Sequence, residues 1–403
     1  MNDAGGAPAT EPSGAPATAD DQLAASRAVA ARIPDAVLDE GSGLPLHVGS
    51  PVAEQRRLLA GSVVLLPRDV LRLTGPDTLP WLDSITSQAI ADLAPGASTE
   101  TLVLSPEGRI EHVLRLLRGD DTGEVELWVL VDAGTGDALE TWLTRMRFFK
   151  QVEIARPEVV VVGTAGAAAA GLPPERTWVD GWPEVAPGGV RYGEPTGEPW
   201  AWAEAVLTPA EAAALAPDRF VGSMAADALR IAAGRPALAE VDERTIPHEL
   251  DWLTTAVHLA KGCYRGQETV AKVHNLGAPP RRVVLLHLDG SQNAPVAPGD
   301  EVVARMEPSA PPVVDAASAD AAPAAAPRVL GHITSVATHH ELGPIALAVV
   351  KRSAPADEDL VVRTADGTDV AAAQQLLVPP SAGHANRPPR LPRLGAVQRP
   401  TRA

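Results

Sequence analysis

The chain has 403 residues, 45% of them hydrophobic and 21% charged, which is ordinary globular composition with room for two or three domains. Aromatics are only 3%, so the core must lean on Ala, Val and Leu. A formal charge of -17 excludes a general nucleic-acid binder, whose affinity rests on phosphate neutralisation by Lys and Arg. A single cysteine excludes an intramolecular disulfide and suits a reducing compartment. The first residues are Gly, Ala, Pro and Thr with acids, unlike a secretory signal, and no apolar run approaches the roughly 18 residues of a membrane span. A soluble cytoplasmic monomer with no membrane partner is expected.

Residues 1–44 are rich in Ala, Pro, Gly and Asp and read as a disordered tail holding at most a short helix near 21–33. A helical stub at 54–60 precedes strands at 62–66 and 70–73 and a turn at Gly75 and Pro76. Asp77 is placed to cap a helix carrying Trp81, Leu82 and Ile85. Strands at 100–104 and 110–117 join through Ser105 to Gly108. Strand 125–131, helix 138–147 and strand 152–162 follow. The glycines after that strand match neither a dinucleotide fingerprint nor a P-loop, and a plain strand-to-helix turn is expected. Turn-rich 180–196 leads to strand 200–207 and helix 209–215. A helix at 227–233 should end at Gly234 and be barred from continuing by Pro236.

From Arg281 the pattern changes to short β runs at 283–288, 301–305, 329–336, 345–350 and 360–362, a small barrel or sandwich. Residues 306–327 form an Ala/Pro/Ser/Asp insertion too poor in large apolar residues to pack, and 381–403 a basic Pro/Arg tail. Alternating strands and helices with hairpins indicate an α+β fold. The domain map is a tail at 1–44, a core of two subdomains at 45–280, a C-terminal barrel at 281–380, and the basic tail.

The lone cysteine lies in Lys261-Gly262-Cys263-Tyr264-Arg265-Gly266-Gln267-Glu268, between two cations and two glycines. A thiol acts as nucleophile or soft ligand in its thiolate form, which nearby positive charge favours. A buried structural cysteine is the bland alternative, against which the polar company argues. The glycines mark a shaped loop ahead of strand-like 269–273. One cysteine cannot build a structural zinc site, and adjacent His339 and His340 would point to opposite strand faces, so no metal site is expected.

This octapeptide is accompanied by Leu229-Arg230-Ile231-Ala232-Ala233-Gly234-Arg235-Pro236, Thr245-Ile246-Pro247-His248-Glu249-Leu250, His274-Asn275-Leu276-Gly277 and Pro279-Pro280-Arg281-Arg282. Earlier stand His47-Val48-Gly49-Ser50-Pro51 and Leu73-Thr74-Gly75-Pro76-Asp77, and later Gly343-Pro344-Ile345-Ala346-Leu347-Ala348. In order and spacing, over about residues 45–380, the set resembles the YgfZ-type folate-binding proteins, relatives of the aminomethyltransferase (T-protein) of the glycine cleavage system. The resemblance implies a multidomain folate-binding core with a C-terminal β-barrel and tetrahydrofolate, or a one-carbon derivative, as cofactor. It also implies a role as accessory factor in iron-sulfur cluster assembly or repair, supporting tRNA-modifying cluster enzymes, with cluster proteins or assembly factors as partners. Cys263 would be the reactive thiol, Lys261 and Arg265 its electrostatic support, and Tyr264, Gly266, Gln267 and Glu268 the frame of the loop.

A folate needs an acceptor carboxylate or carbonyls, an apolar slot and a cation near the mouth. Arg235, Asp242, Glu249 and Trp252 are candidates by nearness in sequence, and each could instead be a surface ion pair or a core aromatic. The transferases place an aspartate pair shortly after a hairpin turn, where this chain reads Gly108-Arg109-Ile110-Glu111-His112-Val113, without aspartate. A folate-dependent one-carbon transferase or demethylase is therefore the alternative, and a folate sensor with a regulatory thiol a third.

Overall fold

The computed structural model describes residues 17–120, 125–166, 171–305 and 328–385. Its architecture is α+β, with two five-stranded sheets, a closed six-stranded barrel and, among the described residues, seven helices.

The first surprise lies at the start. Helix α1 (Ala19–Ala30) has a capping box between Thr18 and Asp21 and buries Ala25, Val29 and Ala30 against the first sheet. The Gln22 side chain clamps the backbone of Val70, donating to its carbonyl and accepting its N–H, each at 3.0 Å. The described part of the expected tail, 17–44, is thus packed, continuing through a ribbon of β1 (Val37–Leu38) and β2 (Pro45–His47). Residues 1–16, the insertion 306–327 and the basic tail from 386 onward lie outside the described residues.

Helix α2 (Pro51–Leu59), capped by Ser50, leads into β3 (Val63–Leu66), and Pro67 separates it from β4 (Arg68–Thr74). The chain changes sheets there. One sheet orders β10-β11-β9-β3-β12, using β9 (Val160–Thr164), β10 (Thr177–Val179), β11 (Ala203–Leu207) and β12 (Phe220–Val221). The other is antiparallel, β5-β6-β7-β4-β8, from β5 (Ser98–Leu104), β6 (Ile110–Arg118), β7 (Glu126–Asp132) and β8 (Glu153–Ala155). The strand expected at 152–162 is therefore two strands in different sheets. Helix α3 (Thr78–Ile85) follows Asp77, whose carboxylate accepts the Gln151 N–H at 2.8 Å instead of capping. Helix α4 (Gly136–Arg147) buries Leu139 and Leu143 under the second sheet.

Helices α5 (Pro209–Ala214) and α6 (Ser223–Ala232) come next, and α6 packs on both α2 and the barrel. After the cysteine loop, α7 (Gln267–Asn275) stands where a strand was expected. Gly266 at φ 85° breaks the chain, Glu268 lies in the first turn and Lys272 and His274 in the last, an arrangement matched to the helix dipole. Only Val270 is buried, so β-branched composition alone misled.

The barrel closes as β13-β16-β15-β14-β17-β18, from β13 (Arg281–Leu288), β14 (Glu301–Ala304), β15 (Val329–His339), β16 (Gly343–Lys351), β17 (Leu360–Arg363) and β18 (Asp369–Leu376). Its interior is filled by alternating side chains such as Val284, Leu286, Ala346 and Ala348. Strand β18, Ala- and Gln-rich, carries little β propensity and was not expected.

Candidate functional site

Where the chain leaves one sheet for the other, a cavity of about 460 Å³ opens between β3, the ends of β6 and β7, the approach to β11, helix α6 and the segment after it. Trp200, Trp202 and Glu204 lead into and along β11 at two-residue spacing, so they share one face, and all three line the cavity. The indoles stack with centroids 5.2 Å apart and planes within 12°. Glu204 is 1% exposed. Arg68 grips it through Nε at 2.9 Å and Nη2 at 2.7 Å, the Trp202 Nε1 donates at 3.0 Å, and Arg115 stands 3.6 Å away. Arg68 and Arg115 also pair with Asp132. Burial pushes the Glu204 carboxyl up, but the two arginines outweigh it and hold it down at about 2.

Arg235, 3% exposed, lines the same cavity. Its Nη2 reaches Glu100 at 2.6 Å and its Nε reaches Asp180 at 2.9 Å, while the guanidinium lies 4.8 Å from the centre of Trp182. Asp180 also accepts from Trp200 Nε1 at 2.8 Å and from the Trp182 N–H at 3.0 Å.

The other three candidates sit elsewhere. Asp242 and Glu249 converge on Arg281 at the start of the barrel, with contacts of 2.5 and 2.8 Å, and so tie the core to the barrel. Trp252 is buried in a separate apolar cluster with Leu253, Tyr264 and Val270. Neither Glu111 nor His112 lines the cavity: Glu111 pairs with Arg265 at 2.9 Å, and His112 is half-buried on β6.

The octapeptide forms a loop outside the cavity lining. It rests on the turn between β5 and β6, glycine against glycine: a Cβ on Gly266 would meet the Ser105 carbonyl at 2.6 Å, and one on Gly108 would meet Thr269 at 2.8 Å. Cys263 is exposed. Lys261 turns inward, its Nζ donating to the carbonyls of Asp83, Thr86 and Gln88 at 2.6, 3.0 and 2.7 Å and pairing with the Asp83 carboxylate at 3.2 Å. Burial lowers the Lys261 ammonium against the pull of Asp83. Both flanking cations are thus already committed to carboxylates. Tyr264 is buried beside Lys261, and Gln267 closes the loop by donating to the Lys261 carbonyl at 3.1 Å. Glu268 opens α7.

A smaller cavity of about 220 Å³ lies beyond Trp200, lined also by Trp182, Arg191 and Asp251. Asp251 accepts the Tyr192 N–H at 2.9 Å, and burial pushes its carboxyl up to about 7. Among the described residues no group of three or more His, Cys, Asp or Glu is placed to hold a metal, and no helix is long and apolar enough to cross a membrane.

No family model and no curated protein sequence matches the chain. Among solved structures, it is similar to the glycine cleavage system aminomethyltransferase T from Bartonella henselae, with a TM-score of 0.62 and 18% identity, covering 87% of this chain and 95% of that one. At that identity the likeness establishes a shared aminomethyltransferase-like fold.

Proposed function

We propose that the chain binds a reduced folate in the cavity around Glu204, and that it acts through the exposed Cys263 loop as an accessory factor for iron-sulfur cluster assembly or repair. The observation that carries the folate reading is the cavity itself, found in a fold shared with an aminomethyltransferase. A pterin is flat and has a donor edge. The Trp200–Trp202 stack supplies a flat apolar wall, and Glu204 and Asp180 supply acceptors. Each carboxylate accepts three hydrogen bonds from the chain, leaving one of about four acceptor positions for the ligand. When bound, a reduced folate can carry a one-carbon unit. Arg68 and Arg115 keep Glu204 ionised as an acceptor, and Arg235 fixes Asp180 in place.

The accessory reading is favoured over one-carbon transfer because Glu111, the acid nearest the transferase position, is held by Arg265 outside the cavity. Cys263 stands exposed on a loop braced by Lys261 and Gly266, accessible to a partner protein. The cluster proteins it would serve include tRNA-modifying enzymes.

Thermal titration with tetrahydrofolate tests the first half: at about 100 times the dissociation constant, the folded state should gain roughly 2.7 kcal/mol. A flat titration would remove folate from the account. For the second half, Cys263→Ser should keep that thermal response yet fail to restore cluster-enzyme activity in a deletion strain. Full rescue by serine would leave folate binding alone.

A further inference from the structure

We infer that the cavity recognises the pterin head of its ligand and that, among the described residues, it gives the anionic glutamyl tail no partner, so that binding does not strengthen with the number of glutamates. The inference rests on the folate reading above. The lining contains four arginines and five carboxylates, Asp39, Asp132, Asp180, Glu204 and Asp227 being the acids. Every one of those arginines is already engaged. Arg68 and Arg115 share Glu204 and Asp132, Arg235 holds Glu100 and Asp180, and Arg230 lies 3.1 Å from Glu240 and 3.5 Å from Asp227.

Charge also has a direction here. Glu204 and Asp180 lie at the buried end, while the acids nearest solvent are half-buried Asp39 and Asp227, the latter with its side chain 56% exposed even beside Arg230. A tail leaving the cavity therefore passes carboxylates. Like charges about 4 Å apart repel by about 1 kcal/mol even at the dielectric of water. The neighbouring cavity is no better for an anion: Arg191 donates there to the carbonyls of Trp182 and Pro183, and Glu194, Glu198 and Asp251 share its lining. Pulling a buried arginine off its carboxylate to receive the tail would strand that acid without compensation, which costs more than the new pair returns.

The test is calorimetric titration of the full chain with three probes: tetrahydrofolate monoglutamate, its pentaglutamate, and a tetrahydropterin lacking the p-aminobenzoylglutamate. The pentaglutamate should bind no tighter than the monoglutamate. Its affinity should rise as salt goes from about 50 to about 500 mM, because screening weakens the repulsion. The bare pterin should bind within about tenfold of the monoglutamate, a loss of at most about 1.4 kcal/mol for the missing aryl contact. Replacing the rim acid, Asp227→Asn, should tighten the pentaglutamate more than the monoglutamate. Tenfold tighter binding of the pentaglutamate, weakening with salt, would overturn the inference and leave the folate site standing. Binding by none of the three would overturn both.

Discussion

Glu204→Gln is the sharpest probe of the cavity, because the buried wild-type carboxylate sits between buried Arg115 and half-buried Arg68 and amide substitution preserves its shape. Its carboxyl is held at about 2 against an ordinary 4.5. At about 1.4 kcal/mol per unit, that difference is worth about 3 kcal/mol of folding free energy at neutral pH. The sign follows from the direction: a depressed carboxyl contributes fully above pH 4.5, and its contribution is lost as pH falls towards 2. The amide keeps one acceptor for Arg68 or the Trp202 N–H, but leaves Arg68 and Arg115 with Asp132 as their shared carboxylate. Removing one partner of a buried ion pair costs about 3–5 kcal/mol, in line with the titration argument. The variant should therefore lose about 3 kcal/mol in urea denaturation at about pH 7, a gap that narrows at about pH 3.5. Its thermal response to tetrahydrofolate should shrink as well. A loss below about 1 kcal/mol, or one that does not change with pH, would show that the arginines do not depend on this acid.

Asp251→Asn should act in the opposite sense. With its carboxyl raised from 3.8 to about 7, the folded state holds a proton that the unfolded chain has released, so stability falls as pH climbs between those values and is flat above. Asparagine can still accept the Tyr192 N–H and tolerates the left-handed φ of 57°, and the variant should be more stable at about pH 8 by up to about 4 kcal/mol and equal to wild type at about pH 3.5. A destabilised variant at the higher pH would mean that the charge is needed there. Gly266→Ala should cost about 2 kcal/mol, since its φ is 85° and a Cβ would lie 2.6 Å from the Ser105 carbonyl. The loosened loop should also change the rate at which the already exposed Cys263 is alkylated by iodoacetamide. An unchanged thermal midpoint together with an unchanged alkylation rate would show that the two turns do not brace each other.

What was legible in the sequence was apolar pattern. Five of the six barrel strands announce themselves through runs of Val, Ile and Leu, and β18 does not because Ala371, Ala372, Gln374 and Gln375 dilute the signal. Helix α1 was readable as a helix but not as part of the core, since what ties it down is Gln22 on the backbone of Val70, 48 positions away. The cysteine loop was readable because its residues are contiguous. The cavity was not, because its charged members come from seven separated stretches and none is unusual where it stands. Nearness in sequence pointed to Asp242, Glu249 and Trp252 alongside Arg235, yet only Arg235 faces the cavity, and the two acids instead meet Arg281.

One signal was available and is physical. In Trp200-Ala201-Trp202-Ala203-Glu204 the large residues alternate with alanine, so a strand must turn two indoles and an acid to the same side. An acid placed on the face that carries the apolar bulk must find a cation in the interior or stay protonated. It finds two, Arg68 and Arg115, each from a different strand of the second sheet. The same requirement that neutralises Glu204 thus brings the two sheets to one point and makes the wall of the cavity. A sequence can show that a buried acid needs a partner, but which arginine answers depends on where Pro67 sends the chain from one sheet to the next.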